Sequence, residues 1–404
     1  MRPMLTTAVA FLTFSATFLV VPVHAAPSTQ PSPVETSAST IPMGSVGGPA
    51  PGALVRAETG NAVAGVPGTL PALSVSRTGT EEFSLVGVTW AYDPTVTETV
   101  VRIRAQSVAG TWGEWSEIVV QDPGQSTPET PGARVRGGTE PVWTGPSAGI
   151  EAEVVTRSGA QPSDVRLDLV DPGTSAADTV VGTPQVQDSA AAALDMPTVH
   201  SRAEWGADET IRTREPEYAP TIRAATLHHT AETNAYTAAQ VPAMIRAIYR
   251  YHAVSRGWGD IGYNVVVDKF GRLWEGRYGG LDSTVIGAHA GGFNTGTFGV
   301  SMLGNYDRVD TTPPMVDAVT AFIAWKFSLF GLDPKVNTTL TSRGGGTSRY
   351  AAGVDVTLPT IFAHGDVGHT ACPGRYGHAR LPEIRDAAAQ RLAGGRSFSS
   401  TPLR

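Results

Sequence analysis

Apolar and charged residues alternate strictly at Val101, Ile103 and Ala105 against Arg102 and Arg104, the period-two signature of a half-buried strand. Similar strand-like runs cover Phe83–Tyr92, Thr99–Ala105, Trp112–Val120, Gly149–Thr156 and Asp164–Leu169, with Gly, Pro and Asp clusters between them. Several short strands divided by turns predict a small all-β, sandwich-like domain over residues 71–172. Its tryptophans Trp90, Trp112, Trp115 and Trp143 have two readings, core packing or a platform that stacks sugars. Residues 26–70, rich in Pro, Ser, Thr, Ala and Gly, read as a flexible leader, and 173–195 as a linker without an amphipathic face.

The period changes after residue 196. Val241, Met244, Ile245, Ile248, Tyr249 and His252 recur at helical spacing, behind a capping box formed by Thr237 and Gln240. Ala224–His228 reads as a strand, Tyr263–Asp268 and Leu273–Gly276 as a hairpin, and Phe298–Leu303 and Thr360–Ala363 as further strands. Helices are predicted at Pro314–Phe330 and about Pro382–Leu392. Strand alternating with helix predicts an α/β domain over 196–394, followed by a disordered tail over 395–404.

Charge supports that division. Residues 26–195 hold 8 arginines and no lysine against 19 acids, a net of −11, whereas 196–404 carry a net of +3. No long basic block exists, which disfavours nucleic acid as a partner. Apart from His24, every histidine follows residue 196, so metal or acid–base chemistry belongs to the second half. At the start, Arg2, an apolar run from Leu5 to Val23 and Val23-His24-Ala25 read as a signal peptide over 1–25, with an uncleaved anchor as the alternative. Nothing later is long and apolar enough to span a bilayer, so the expected product is secreted, not integral to the membrane, and monomeric.

Cys372 is the only cysteine, which removes an internal disulfide from its possible fates. A buried hydrophobe, a reactive thiol, an intermolecular bridge and a metal ligand remain. His364, eight residues upstream, favours the metal, because a thiolate and a neutral imidazole at that spacing reach one zinc ion. A strand-end histidine makes a third ligand. His228 and His229 face opposite ways on a strand, and spacing does not choose between them.

Seven segments in order across the second half resemble the peptidoglycan recognition protein domain, a branch of the zinc-dependent type-2 N-acetylmuramoyl-L-alanine amidases. They are Ser201-Arg-Ala-Glu-Trp-Gly-Ala207, Leu227-His-His-Thr-Ala231, Gly259-Asp-Ile-Gly-Tyr-Asn264, Glu275-Gly-Arg277, Gly287-Ala-His-Ala290 with Asn294, Phe298-Gly-Val-Ser-Met-Leu-Gly-Asn-Tyr306, and His364-Gly-Asp-Val with Cys372-Pro-Gly. The resemblance does not reach residues 26–195. It implies a mixed central sheet flanked by helices, Zn2+ as cofactor, and peptidoglycan, both glycan strand and stem peptide, as partner.

Residue by residue, the resemblance implies His228, His364 and Cys372 as metal ligands and Tyr263 beside the reacting water. Some relatives carry a lysine two residues before the cysteine; Thr370 stands there, and its hydroxyl is a second candidate donor. His289, Asn294 and His369 are candidate substrate contacts. Alternation places Tyr263 on the face of Val265 and Val267. Asp366 is expected to orient a ligand or cap the loop. The implied activity is hydrolysis of the lactyl–alanine amide. A non-catalytic peptidoglycan binder is the alternative, and a cysteine hydrolase using Cys372 and His364 leaves His228 without a role.

Overall fold

The computed structural model describes residues 32–45, 73–93, 95–96, 99–118, 120–121, 135–156, 161–179, 194–345 and 347–398. The signal-peptide reading falls outside them. The β-domain contains β1 (Ser37–Gly44), β2 (Leu73–Ala91), β3 (Thr99–Ser107), β4 (Ser116–Ile118), β5 (Val120–Gln121), β6 (Arg136–Thr139), β7 (Val142–Thr156) and β8 (Val165–Asp171). Its order is β1-β8-β2-β7-β3-β4, with β6 joining β2 and β5, and every pairing is antiparallel. The predicted alternation holds: Val101 and Ile103 are in the core with Val86, Val88, Ile150 and Leu167.

Three expectations are corrected. The leader over 26–70 is not uniformly flexible, because Ser37–Gly44 pairs with β8 and buries Met43. Its small polar side chains hide a strand held by backbone bonds. The linker over 173–195 includes a 3-10 turn, Ala176–Thr179, whose Asp178 is paired with Arg246 at 2.7 Å. Of the tail expected to be disordered over 395–404, residues 395–398 continue a helix that runs to Phe398, and 399–404 lie outside the described residues.

The second domain contains β9 (Val199–His200), β10 (Ala224–His229), α1 (Val241–Arg250), β11 (Val265–Val267), β12 (Leu273–Glu275), β13 (Thr297–Met302), α2 (Pro313–Phe330), β14 (Asn337–Thr341), β15 (Asp355–Pro359), β16 (Ile361–Ala363), α3 (His364–Val367), α4 (Gly374–Ala379) and α5 (Leu381–Phe398). The mixed sheet runs β16-β10-β13-β11-β12-β9, antiparallel only at β11–β12, while β14 and β15 form a separate hairpin. Helices α2 and α5 cover one face through Phe322, Ile323, Ile384 and Ala388. Thr237 and Gln240 form the predicted capping box ahead of α1, which covers the other face. Among the described residues no helix is long and apolar enough to cross a membrane.

The two domains share a core. Leu85, Trp143 and Val170 of the β-domain pack with Val241, Met244, Ile245 and Ile248 of α1. Tyr251 Oη donates to Thr139 O at 3.0 Å, and Arg256 Nη1 donates to the same carbonyl at 2.9 Å. Arg246, 1 % exposed, donates to Pro172 O and both oxygens of Asp178. A guanidinium buried this deeply needs such saturation to offset lost hydration. Gly87 lies against the Tyr251 ring, where an added Cβ would come within 2.3 Å of Cε2.

Candidate metal centre

The parallel pairings of β10 with β13 and β16 bring their C-terminal ends together. Here His228 is the penultimate residue of β10, His364 opens α3 directly after β16, and Cys372 follows in the segment after α3. One ligating atom from each lies within 4.8 Å of the others, and all three side chains are buried. His228 Nδ1 is 3.6 Å from Cys372 Sγ, and its ring centroid is 4.6 Å from that of His364. Neither ring nitrogen of His364 has a hydrogen-bond partner. Two buried imidazoles and a thiol, converging with orphaned nitrogens, fit zinc and its preference for N and S donors.

Electrostatics agree with a metal site. Burial, assisted by neighbouring imidazoles, holds His228 well below its ordinary value and His364 down at about 3, so both carry the free lone pair a metal needs. Burial pushes the Cys372 thiol up. A thiolate there requires a positive partner, and a metal ion supplies one.

The choice between the paired histidines follows from the strand. His228 points to the cluster, whereas His229 points away and its Nδ1 accepts from Tyr306 N. His229 N–H also reaches Cys372 Sγ at 3.3 Å, so its backbone serves the centre while its ring does not.

His289 lies closer to the centre than a substrate contact would. Its Nδ1 is 3.0 Å from His228 Nε2. With His228 Nδ1 facing the sulfur, its proton belongs on Nε2, donating to His289; this fixes tautomer and ring orientation. His289 Nε2 is buried without a partner.

Asn294 differs from expectation. Its Oδ1 accepts from the backbone N–H groups of His289 and Ala290, both at 2.8 Å, so the carboxamide holds the His289 loop. Thr370 Oγ1 accepts from Cys372 N at 3.1 Å and shapes the turn that presents the sulfur. Asp366 accepts from Ala363 N, the capping role expected of it. His369 is exposed and outside the cluster.

Tyr263 is beside the centre, its ring centroid 5.5 Å from that of His228. Its predicted facing is corrected: it packs with Val266 and Trp274, not with Val265 and Val267. Consecutive carbonyls of Tyr263 and Asn264 accept from consecutive N–H groups of Arg277 and Gly276, so the regular ladder of Val265–Val267 and its alternation do not extend to Tyr263. Burial pushes the phenol well up, so it stays protonated, and its hydroxyl has no well-formed hydrogen bond.

Two acids complete the surroundings. Glu140, from the β6–β7 turn, is 5 % exposed and lies against the Tyr263 phenol. Glu232, three residues beyond His229, is 2 % exposed and neither of its carboxyl oxygens has a partner. Burial pushes Glu140 up to about 8 and Glu232 well above the usual carboxylate range. Nothing in the sequence marks Glu140, a lone acid in an acidic domain. Proximity to the double histidine was the available signal for Glu232.

An α/β sheet that gathers two histidines and a cysteine at its strand ends defines a domain with a candidate metal centre. Residues 218–375 match the N-acetylmuramoyl-L-alanine amidase family, and residues 26–185 match the Rv3811 N-terminal galactose-binding domain-like family. The chain is 32% identical over 178 residues to peptidoglycan-recognition protein SC2 of Drosophila melanogaster, covering 44% of this chain and 80% of that protein. It is 36% identical over 120 residues to the human N-acetylmuramoyl-L-alanine amidase, covering 28% of this chain and 19% of the relative. The solved structure of wild-type Drosophila PGRP-LB is similar at 24% identity and a TM-score of 0.35, covering 45% of this chain and 90% of that one. The chain belongs to the N-acetylmuramoyl-L-alanine amidase and peptidoglycan-recognition protein family.

Proposed function

We propose that this protein is a zinc-dependent N-acetylmuramoyl-L-alanine amidase that hydrolyses the lactyl–alanine amide of peptidoglycan outside the cell. The observation that carries this reading is the complete set of His228, His364 and Cys372 converging within 4.8 Å. Three protein ligands leave one tetrahedral position for chemistry, whereas structural zinc sites use four.

When bound, zinc supplies Lewis acidity, which acidifies water towards neutral pH and polarises the amide carbonyl. The chain's own residues do the rest. His289 holds His228 in its ligating tautomer, Asp366 caps the turn that begins with His364, and Thr370 fixes the turn of Cys372. The protonated Tyr263 hydroxyl is the donor for the oxyanion that develops as water adds to the carbonyl carbon. The C–N bond then breaks, the alanine nitrogen departs with both protons of the attacking water, and the lactyl carbonyl stays on the glycan as a carboxylate.

The test is mass spectrometry of a peptidoglycan digest, with and without chelator. Free stem peptides and glycan strands bearing lactyl groups are expected from the zinc-loaded protein alone. Intact disaccharide-peptides together with tight binding to the polymer would identify a non-catalytic binder.

A further inference from the structure

A cavity of about 630 Å³ lies between the two domains, lined on one side by the β3–β4 and β6–β7 regions and on the other by residues 231–235 and Asn305, Arg308 and Val309. It contains none of the metal ligands, yet Glu140, beside Tyr263, forms part of its wall. We propose that this cavity is a saccharide-binding subsite of the substrate cleft, with Trp112 and Trp143 supplying apolar faces and Glu140 and Glu232 hydrogen-bonding groups. The proposal rests on the amidase reading for its substrate, but binding is independent of turnover.

Three observations carry it. First, Glu140 Oε2 and both oxygens of Glu232 are buried without partners while their side chains line the cavity. Unsatisfied buried carboxyl oxygens are costly, and a small turn of either group towards a ligand rich in hydroxyl and amide groups removes that cost. Burial keeps Glu140 largely un-ionised at neutral pH, so its carboxyl both donates and accepts, as sugar hydroxyls do.

Second, the tryptophans divide by position. Trp90 is 2 % exposed and belongs to the β-domain core, and Trp115 is half-buried with Arg102 and Arg104 over its ring. Trp112 is half-buried on the cavity wall with Arg104 over one face of its ring, and the mostly buried Trp143 also lines the cavity. The four do not form one platform, but two of them remain on a cavity. An aromatic wall beside a few polar groups is the usual construction of a small-molecule site.

Third, charge selects between the two parts of peptidoglycan. Glu114, Glu117, Glu140 and Glu232 line the cavity against Arg104 and Arg308, and Arg104 is already paired with Glu151 at 2.6 Å. With Glu140 and Glu232 held neutral by burial, only Glu114 and Glu117 face Arg308, and such a nearly uncharged lining suits neutral N-acetylated sugars better than a carboxylate-bearing stem peptide. The glycan strand therefore runs towards the β-domain and the peptide away from it.

The test uses the full chain, metal-loaded and chelator-treated, with chitotetraose and free stem peptide as separate probes in tryptophan-fluorescence and saturation-transfer titrations. Chitotetraose is expected to bind equally with and without metal. Trp112→Ala and Glu140→Leu should each raise its Kd at least five-fold, and Glu140→Gln, which keeps hydrogen-bonding capacity, should restore most of the affinity. Binding of the saccharide with these sensitivities supports the subsite even if no turnover is seen. Absence of saccharide binding, a Kd indifferent to both Trp112→Ala and Glu140→Leu, or displacement of the saccharide by stem peptide would overturn it, whatever the activity.

Discussion

The carboxyl group of Glu140, which belongs to the β-domain, lies against the phenol of Tyr263, which belongs to the amidase domain, and both are buried. Arg256, Glu232, Cys372 and Tyr251 are among the charged or titratable groups acting on this pair. The surroundings of the metal centre are therefore assembled from both halves of the chain.

The pair makes stability depend on pH. Burial outweighs Arg256 and Tyr263 and lifts Glu140 from 4.5 to about 8. Between those values the unfolded chain has released a proton that the folded chain keeps, so stability falls as pH rises through this window and levels off above it. The loss is on the order of 2–5 kcal/mol. Urea denaturation of chelator-treated wild type and Glu140→Gln at pH 5, 6, 7 and 8 should show the variant losing less stability as pH rises, the difference in slope separating Glu140 from Glu232 and the buried histidines. Equal slopes for the two proteins would refute the assignment.

Metal retention should separate the neighbouring histidines. His228→Ala and Cys372→Ser are expected to reduce bound zinc from about one per chain to near zero, whereas His229→Asn retains it. Elemental analysis of dialysed protein checks this. Zinc loss in the His229 variant alone would reverse the facing described for β10.

Tyr263→Phe removes one donor and leaves the ligands intact. Turnover is expected to fall about 10²–10³-fold with KM little changed and zinc content preserved. Steady-state kinetics on a soluble muropeptide measures both parameters. An unchanged kcat would remove the phenol from the chemistry.

Gly87→Ala places a methyl group on the Tyr251 ring and should destabilise the protein by about 1–3 kcal/mol. Shrinking the ring relieves that clash, so Tyr251→Leu combined with Gly87→Ala should cost less than the two changes separately. Additive costs in denaturant melts would show that the two residues do not press on each other.

Local pattern and motif spacing were enough for much of this molecule. The strands around Val101 and Ile103, the capping box at Thr237 and Gln240 and the pairing of His364 with Cys372 followed from short-range signals, whereas the choice of His228 over His229 came from the family resemblance. What escaped depended on the partner. Ser37–Gly44 has little apolar content and becomes a strand because β8 offers it a ladder. The facing of Tyr263 was hidden because the regular β11–β12 ladder covers only Val265–Val267, and the bonds to Gly276 and Arg277 beyond it depart from that pattern. Asn294 was expected at the substrate, yet its carbonyl oxygen is committed to two backbone N–H groups. Glu140 was invisible because its importance comes from a domain contact spanning more than a hundred positions.

Adjacent histidines facing opposite ways on β10 make metal capture a check on folding. Sliding that strand by one position against β13 and β16 would exchange the two rings and carry the chelating one away from Cys372. A chain paired in the wrong register would then fail to load zinc. In a freshly folded preparation, zinc stoichiometry therefore counts correctly aligned molecules, before any substrate is added.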